Sequence, residues 1–249
     1  MALSWLRRFT RPMSRPAQRV GRTARGRRTK LWVETLEDRE VLSTLIPVTN
    51  HRDLVFDPSR GLLYITTSAG TVQEYSVASQ ALLSPLNVGT SLNGADIAPD
   101  GSALYVTEGQ AGTSQGVVHK VNLATGAVTD LPYNLAFYEG GSWDIALGSG
   151  GKGLFDTKFN GSGWVPLRQV DLTTGAITVR TDDPGSGYGG QIRQNTLIHR
   201  SADRSLILIA DTGSPSGALF TYNALTNSFS HPGSLGMSLA GSKATPPVR

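Results

Sequence analysis

Along most of the chain, hydrophobic and polar residues alternate in short runs separated by turn-forming residues. The clearest example is Ala95-Asp96-Ile97-Ala98-Pro99-Asp100-Gly101-Ser102-Ala103-Leu104-Tyr105-Val106-Thr107. This pattern predicts a strand, a tight turn and a second strand. Pro99 fixes φ, Asp100 caps its own backbone and Gly101 takes the strained position. Leu104-Tyr105-Val106-Thr107 has the β-branched and aromatic character of a half-buried pleated strand. Phe56-Asp57-Pro58-Ser59-Arg60-Gly61-Leu62-Leu63-Tyr64-Ile65-Thr66 is a second copy, and weaker copies run from Asp144 to Phe155 and from His199 to Ile209.

A second marker follows each copy. Asn122-Leu123-Ala124-Thr125-Gly126-Ala127 matches Asp171-Leu172-Thr173-Thr174-Gly175-Ala176, with degraded versions at Asn223-Ala224-Leu225-Thr226-Asn227-Ser228 and Ser76-Val77-Ala78-Ser79-Gln80-Ala81. Each predicts a hairpin in which a polar residue leads in and Gly or Asn takes positive φ. Four units of four short antiparallel strands result, at about 53–89, 94–133, 142–184 and 196–232. Units of this size and strand count indicate an all-β fold of β-propeller blades. The connection between second and third strands is short at Ser68-Ala69-Gly70 and longer at 108–115, 157–163 and 211–216; these Gly/Ser/Thr-rich loops are expected on one rim.

Ile97-Ala98-Pro99-Asp100-Gly101 with Leu104-Tyr105-Val106-Thr107, followed by Val121-Asn122-Leu123-Ala124-Thr125-Gly126, resembles the YVTN-type propeller repeat. The likeness spans about 180 residues and implies fold far more than activity, because propellers host many unrelated functions. The propeller is expected over 44–241, with a tail at 242–249. Leu235-Gly236-Met237-Ser238-Leu239-Ala240-Gly241 reads as the start of a fifth unit. The preferred reading is a piece of a larger propeller; the other is closure with four or five blades, using Thr44-Leu45-Ile46-Pro47-Val48 as an extra strand.

Charge is distributed unevenly. Residues 1–30 hold ten Arg or Lys and no acid, whereas the rest of the chain has a net charge of −6. The body therefore lacks the basic footing of a nucleic-acid binder, and any such contact is expected only through the basic leader, 1–43. That leader cannot bury a core and is expected to be disordered. It has no apolar run after its charges, so it is not a standard signal peptide. Within it, Leu36-Glu37, Arg39 and Val41-Leu42 resemble the LEPR-XLL signature near the N-termini of large exported or surface proteins of bacteria, with Asp38 in place of Pro. The resemblance implies export or surface display. There is no cysteine, which excludes disulfides, thiolate metal sites and cysteine nucleophiles. No run of 18 apolar residues exists to span a membrane.

Aligning the units through Tyr64, Tyr105, Phe155 and Leu208, with one extra residue in the third, places Val55, Asp96, Asp144 and His199 at one level of the innermost strands. Asp96, Asp144 and His199 are thus expected at the central channel, as ligands for a polar molecule or a divalent cation, or as plain hydrogen-bonding groups. No other cofactor is expected. Tyr138, Trp143 and Tyr188 are candidates for an aromatic, glycan-binding rim. Asp211-Thr212-Gly213-Ser214 matches an aspartic-protease motif by letters alone, and Gly185-Ser186-Gly187-Tyr188-Gly189-Gly190 reads as a blade-to-blade loop. The expected function is a non-catalytic binding or scaffold module for protein or glycan, with self-association through open blade edges. The alternative is an enzyme of the propeller lactonase or lyase kind with its site at the channel mouth.

Overall fold

The computed structural model describes residues 45–185, 191–211 and 219–230. Contacts divide the chain into Met1–Thr44 and Leu45–Arg249, and the fold below belongs to the second unit. Among the described residues all regular structure is β. Blade one comprises β1 (His51–Asp57), β2 (Leu62–Thr67), β3 (Thr71–Ser76) and β4 (Ala81–Leu82), with β5 (Leu86–Asn87) also paired to β3. Blade two is β6 (Leu92–Ile97), β7 (Ala103–Glu108), β8 (Gln115–Asn122) and β9 (Val128–Asn134). In blade three, β10 (Glu139–Leu147) and β11 (Lys152–Phe159) come first; β12 (Trp164–Val165) interrupts, then β13 (Arg168–Asp171) and β14 (Ile177–Val179) complete the sheet. β12 pairs with β15 (Ile192–Arg193), a small ladder the repeat did not announce. Blade four is β16 (Leu197–Arg200), β17 (Leu206–Ala210), β18 (Leu219–Asn223) and β19 (Ser228–Ser230). Each blade is an antiparallel meander in sequence order.

The turn chemistry explains the meanders. Gly61, Gly101 and Gly151 take positive φ between first and second strands; in blade four, which lacks the Pro-Asp-Gly turn, Arg204 does so. Between third and fourth strands the positive-φ residues are Gln80, Gly126, Gly175 and Asn227. The lead-in residue caps each of these turns: Asn122 Oδ1 accepts from the N–H of Ala124 and Thr125, Asp171 Oδ1 from Thr173 and Thr174, and Asn223 Oδ1 from Leu225 and Thr226.

Alternation along the strands decides which blade faces meet. Leu104 and Val106 of β7 point into one core with Val55, Tyr64, Leu92 and Ile97, joining blades one and two. Ala103 and Tyr105 of the same strand point the other way, to Ile145, Leu147, Phe155 and Val170 of blade three. A third core joins Ala146, Leu154 and Leu167 to Ile198, Ile207, Ile209 and Phe220 of blade four. Each fully buried aliphatic here contributes roughly 1.5–3 kcal/mol. β7 is consequently buried at every position, whereas β17 alternates exposed and buried. Among the described residues, blades one and four have a neighbouring blade on one face only: Leu54 and Phe56 are 61% and 51% exposed, and Leu197, Leu206 and Leu208 about 40%.

Candidate functional site

The innermost strands β1, β6, β10 and β16 border one open cleft of about 370 Å³, lined among others by Asp53, Asp96, Asp144, His199 and Arg200. The three sequence candidates Asp96, Asp144 and His199 therefore do share a cleft. Their levels differ from the alignment. Tyr64 stands opposite Val55, Tyr105 opposite Asp96 and Leu208 opposite His199, but Phe155 stands opposite Ile145. Asp144 lies one residue earlier, in the stretch where a bulge shifts the register between Ser142 and Ile145. The extra residue of the third unit lies instead in the turn between Leu147 and Gly153, so the residue at the Asp96 level is Ile145, which corrects the placement of Asp144 there.

Asp144 nevertheless does what Asp96 does, and so does Asp53, which the alignment passed over. Asp53 Oδ1 accepts from Leu54 N–H at 2.8 Å and Oδ2 from Ala95 N–H of blade two at 2.9 Å. Asp96 Oδ1 accepts from Ile97 N–H and Oδ2 from Leu147 N–H of blade three, both at 2.8 Å. Asp144 Oδ1 accepts from Ile145 N–H and Oδ2 from Ile198 N–H of blade four, both at 2.9 Å. One carboxylate thus clasps each junction between consecutive blades, always from the earlier blade to the later. The missed sequence signal is an Asp followed by Leu or Ile in each of three inner strands.

Burial tunes Asp53 and Asp144. It pushes Asp144 up to about 6, with the nearby Asp53 charge adding to the shift and His199 opposing it. Burial also raises Asp53. Asp156, wholly buried on β11, accepts Asp144 N–H on Oδ1 at 2.9 Å, while its Oδ2 has no hydrogen-bond partner. Burial and the neighbouring Asp144 charge raise its pKa well above the ordinary 3.8. Arg200 spans the cleft from blade four to both oxygens of Asp96. His199 is exposed in the cleft. Among the described residues no three His, Cys, Asp or Glu side chains are grouped to hold a metal ion.

A second cluster lies away from the cleft. His119 on β8 places Nδ1 2.7 Å from Asp130 and Nε2 3.4 Å from Glu108. Glu108 also accepts the N–H groups of Thr90, Ser91 and Gln110. Sequence spacing hid this cluster because its members come from three strands that meet only in the sheet.

The rim holds a second cavity of about 400 Å³ between the loops of blades two and three, walled by Gly109–Thr113, Glu139–Gly141 and Lys158-Phe159-Asn160. Two of the aromatic candidates flank it through consecutive residues of β11. The Lys158 ammonium lies 5.2 Å from the Trp143 ring centroid, and the Phe159 ring 5.7 Å from Tyr138, which in turn lies 3.8 Å from Phe137. Tyr188 falls outside the described residues, as do Thr212-Gly213-Ser214 and the basic leader.

No protein-family model and no curated protein matches the sequence. Solved structures match it in fold. One is the hydrazine synthase of Kuenenia stuttgartiensis, with TM-score 0.56 and 14% identity over 79% of this chain and 51% of that one. Another is the Cps50 (Swd1) β-propeller domain of Myceliophteria thermophila, at 0.53 and 13% over 75% and 56%. A third is regucalcin of Agrobacterium tumefaciens strain C58, described as a calcium-binding protein, at 0.51 and 16% over 74% and 57%.

The fold is a β-propeller. At such identities the likeness extends to the fold alone, and the chain spans about half the length of the structures it matches. The aspartate clasps and the rim cavity are read from this propeller's own residues.

Proposed function

We propose that this propeller is a non-catalytic binding or scaffold module that takes a protein or glycan through its loop rim. The observation that carries the reading is the state of the cleft carboxylates. Asp53, Asp96 and Asp144 each have both oxygens engaged by backbone N–H groups, so they do not converge as an acid–base pair or a cation cage. The rim instead offers an open cavity beside exposed aromatic rings, the usual makings of a recognition surface. Export or surface display is part of the proposal, supported by the likeness of Leu36-Glu37, Arg39 and Val41-Leu42 to the LEPR-XLL signature. The exposed apolar faces of blades one and four support self-association.

A lactonase- or lyase-like enzyme is the second reading. It is favoured by Asp144, an acid raised to about 6 beside His199 in the cleft. The deciding experiment screens the full chain against lactone substrates, with and without Ca²⁺ or Zn²⁺, alongside a glycan array. Array binding without turnover supports the module. Turnover abolished by Asp144→Asn or His199→Ala would establish the enzyme instead. Fractionation of cells expressing the full chain and a variant lacking residues 1–43 tests export: the full chain outside and the variant inside is the expected result.

A further inference from the structure

We propose that the rim cavity between blades two and three binds an acidic sugar of the uronate type, with Lys158 receiving its carboxylate. This deepens the rim-binding reading and rests on it. The first argument is charge. Lys158 is half-buried, and among the described residues no carboxylate lies within ion-pairing distance of its Nζ. The ammonium is held over the Trp143 ring and against Gly109, where a Cβ would stand 3.1 Å away. A partly desolvated cation with no ion-pair partner is a standing cost that an incoming anion relieves. Burial and the neighbouring Arg52 charge lower the Lys158 pKa, and Glu108 and Asp156 oppose them only in part.

The acids nearby do not supply the missing partner. Glu139 lines the cavity, but it is bound by Arg168 Nε at 2.7 Å and Nη2 at 2.5 Å, by the Thr157 hydroxyl and by Ala136 N–H. Glu108 is bound by His119 and three backbone N–H groups. The charge left uncompensated at the cavity is therefore positive.

The second argument is shape and surface. A volume of about 400 Å³ suits a small ligand, and the glycine-rich walls let one approach bare backbone. Gln110, Thr113 and Asn160 contribute neutral hydrogen-bonding side chains of the kind that read sugar hydroxyls. Phe159 leads outward to Tyr138 and Phe137, 54% and 83% exposed, a platform for the apolar face of a pyranose. Tyr138 sits at φ +60, a strained backbone that holds its ring beside Phe159. A phosphate ligand would call for several converging cations and no rings. A neutral sugar would leave Lys158 unsatisfied. One carboxylate on a hydroxylated ring answers both.

The test is calorimetry on the full chain with trigalacturonate and with galactotriose, its neutral counterpart. Trigalacturonate is expected to bind at least about ten-fold tighter. Lys158→Met should erase that preference and Lys158→Arg should keep most of it, with thermal midpoints confirming that both variants fold. Tyr138→Ala should weaken both ligands. Equal affinity for the two sugars in the wild type, or an unchanged preference in Lys158→Met, would overturn the acidic ligand; loss of both in Tyr138→Ala would then still uphold the rim. Binding of neither sugar by the wild type would overturn this inference alone, the glycan array and turnover assay deciding the broader reading.

Discussion

Arg200 Nε lies 2.9 and 2.8 Å from the two carboxylate oxygens of Asp96, a residue 104 positions earlier. The contact ties the last described blade to the second across the cleft, over the head of the third. The Asp96 side chain is 6% exposed and that of Arg200 26%. Arg200→Ala should therefore cost about 1–3 kcal/mol, less than a fully buried pair would. Asp96→Ala also strips the acceptor from Leu147 N–H, and about 3–5 kcal/mol is expected. Urea unfolding of the two variants checks the order.

Glu108 and His119 predict opposite pH limbs. Burial works against both charges. For Glu108 it is outweighed by His119 and the three N–H donors, which bring its pKa down from 4.5 to about 2. For His119 it is outweighed by Glu108 and Asp130, which raise its pKa above 6.5. Glu108 thus stabilises the fold fully above pH 4.5 and loses that contribution as pH falls toward 2. His119 stabilises fully below pH 6.5 and loses its contribution as pH rises through its folded value. In thermal midpoints measured from pH 3 to 9, the difference between wild type and His119→Gln should be greatest below pH 6.5 and shrink as pH rises. A difference that does not shrink at alkaline pH would refute the assignment.

Asp156 runs the other way. Its raised pKa means the folded chain keeps a proton that the unfolded chain gives up near 3.8, so its share of stability shrinks as pH climbs above 3.8. Asp156→Asn keeps an oxygen for Asp144 N–H and cannot ionise. The variant should match the wild type near pH 4 and exceed it at pH 8, by chemical denaturation at both values.

Gly141 marks how closely blades two and three approach. A Cβ there would lie 2.4–2.5 Å from backbone atoms of Glu108 and Gly109. Neither neighbour is a flexible side-chain tip, so Gly141→Ala should force the blades apart and cost about 1–3 kcal/mol. Calorimetry on the variant, with Gly151→Leu as a comparison at an open turn where no atom lies within 4 Å but φ is +73, separates crowding from backbone strain.

The meanders were legible because turns and strands leave local marks. Tyr64, Tyr105 and Phe155 recur on second strands, and Gly126 and Gly175 mark hairpins that do take positive φ. Much less of the candidate site was legible. Asp53 escaped because the alignment was keyed to second-strand residues, while β1, β6 and β10 each carry a register shift that moves the first strand against the second. The grouping of Glu108, His119 and Asp130, and of Lys158 with Trp143, depends on which side chains neighbouring strands bring to one face. A one-dimensional reading has no access to that. Tyr138 and Trp143 were visible as aromatic residues, but not as flanks of one cavity.

The aspartate clasps all point forward along the chain: 53 to 95, 96 to 147, 144 to 198. Each junction therefore has a sense: the earlier sheet brings the acceptor and the later sheet the amide. Two blades exchanged in order would present the wrong half of the clasp to each other, so the blades are not interchangeable beads.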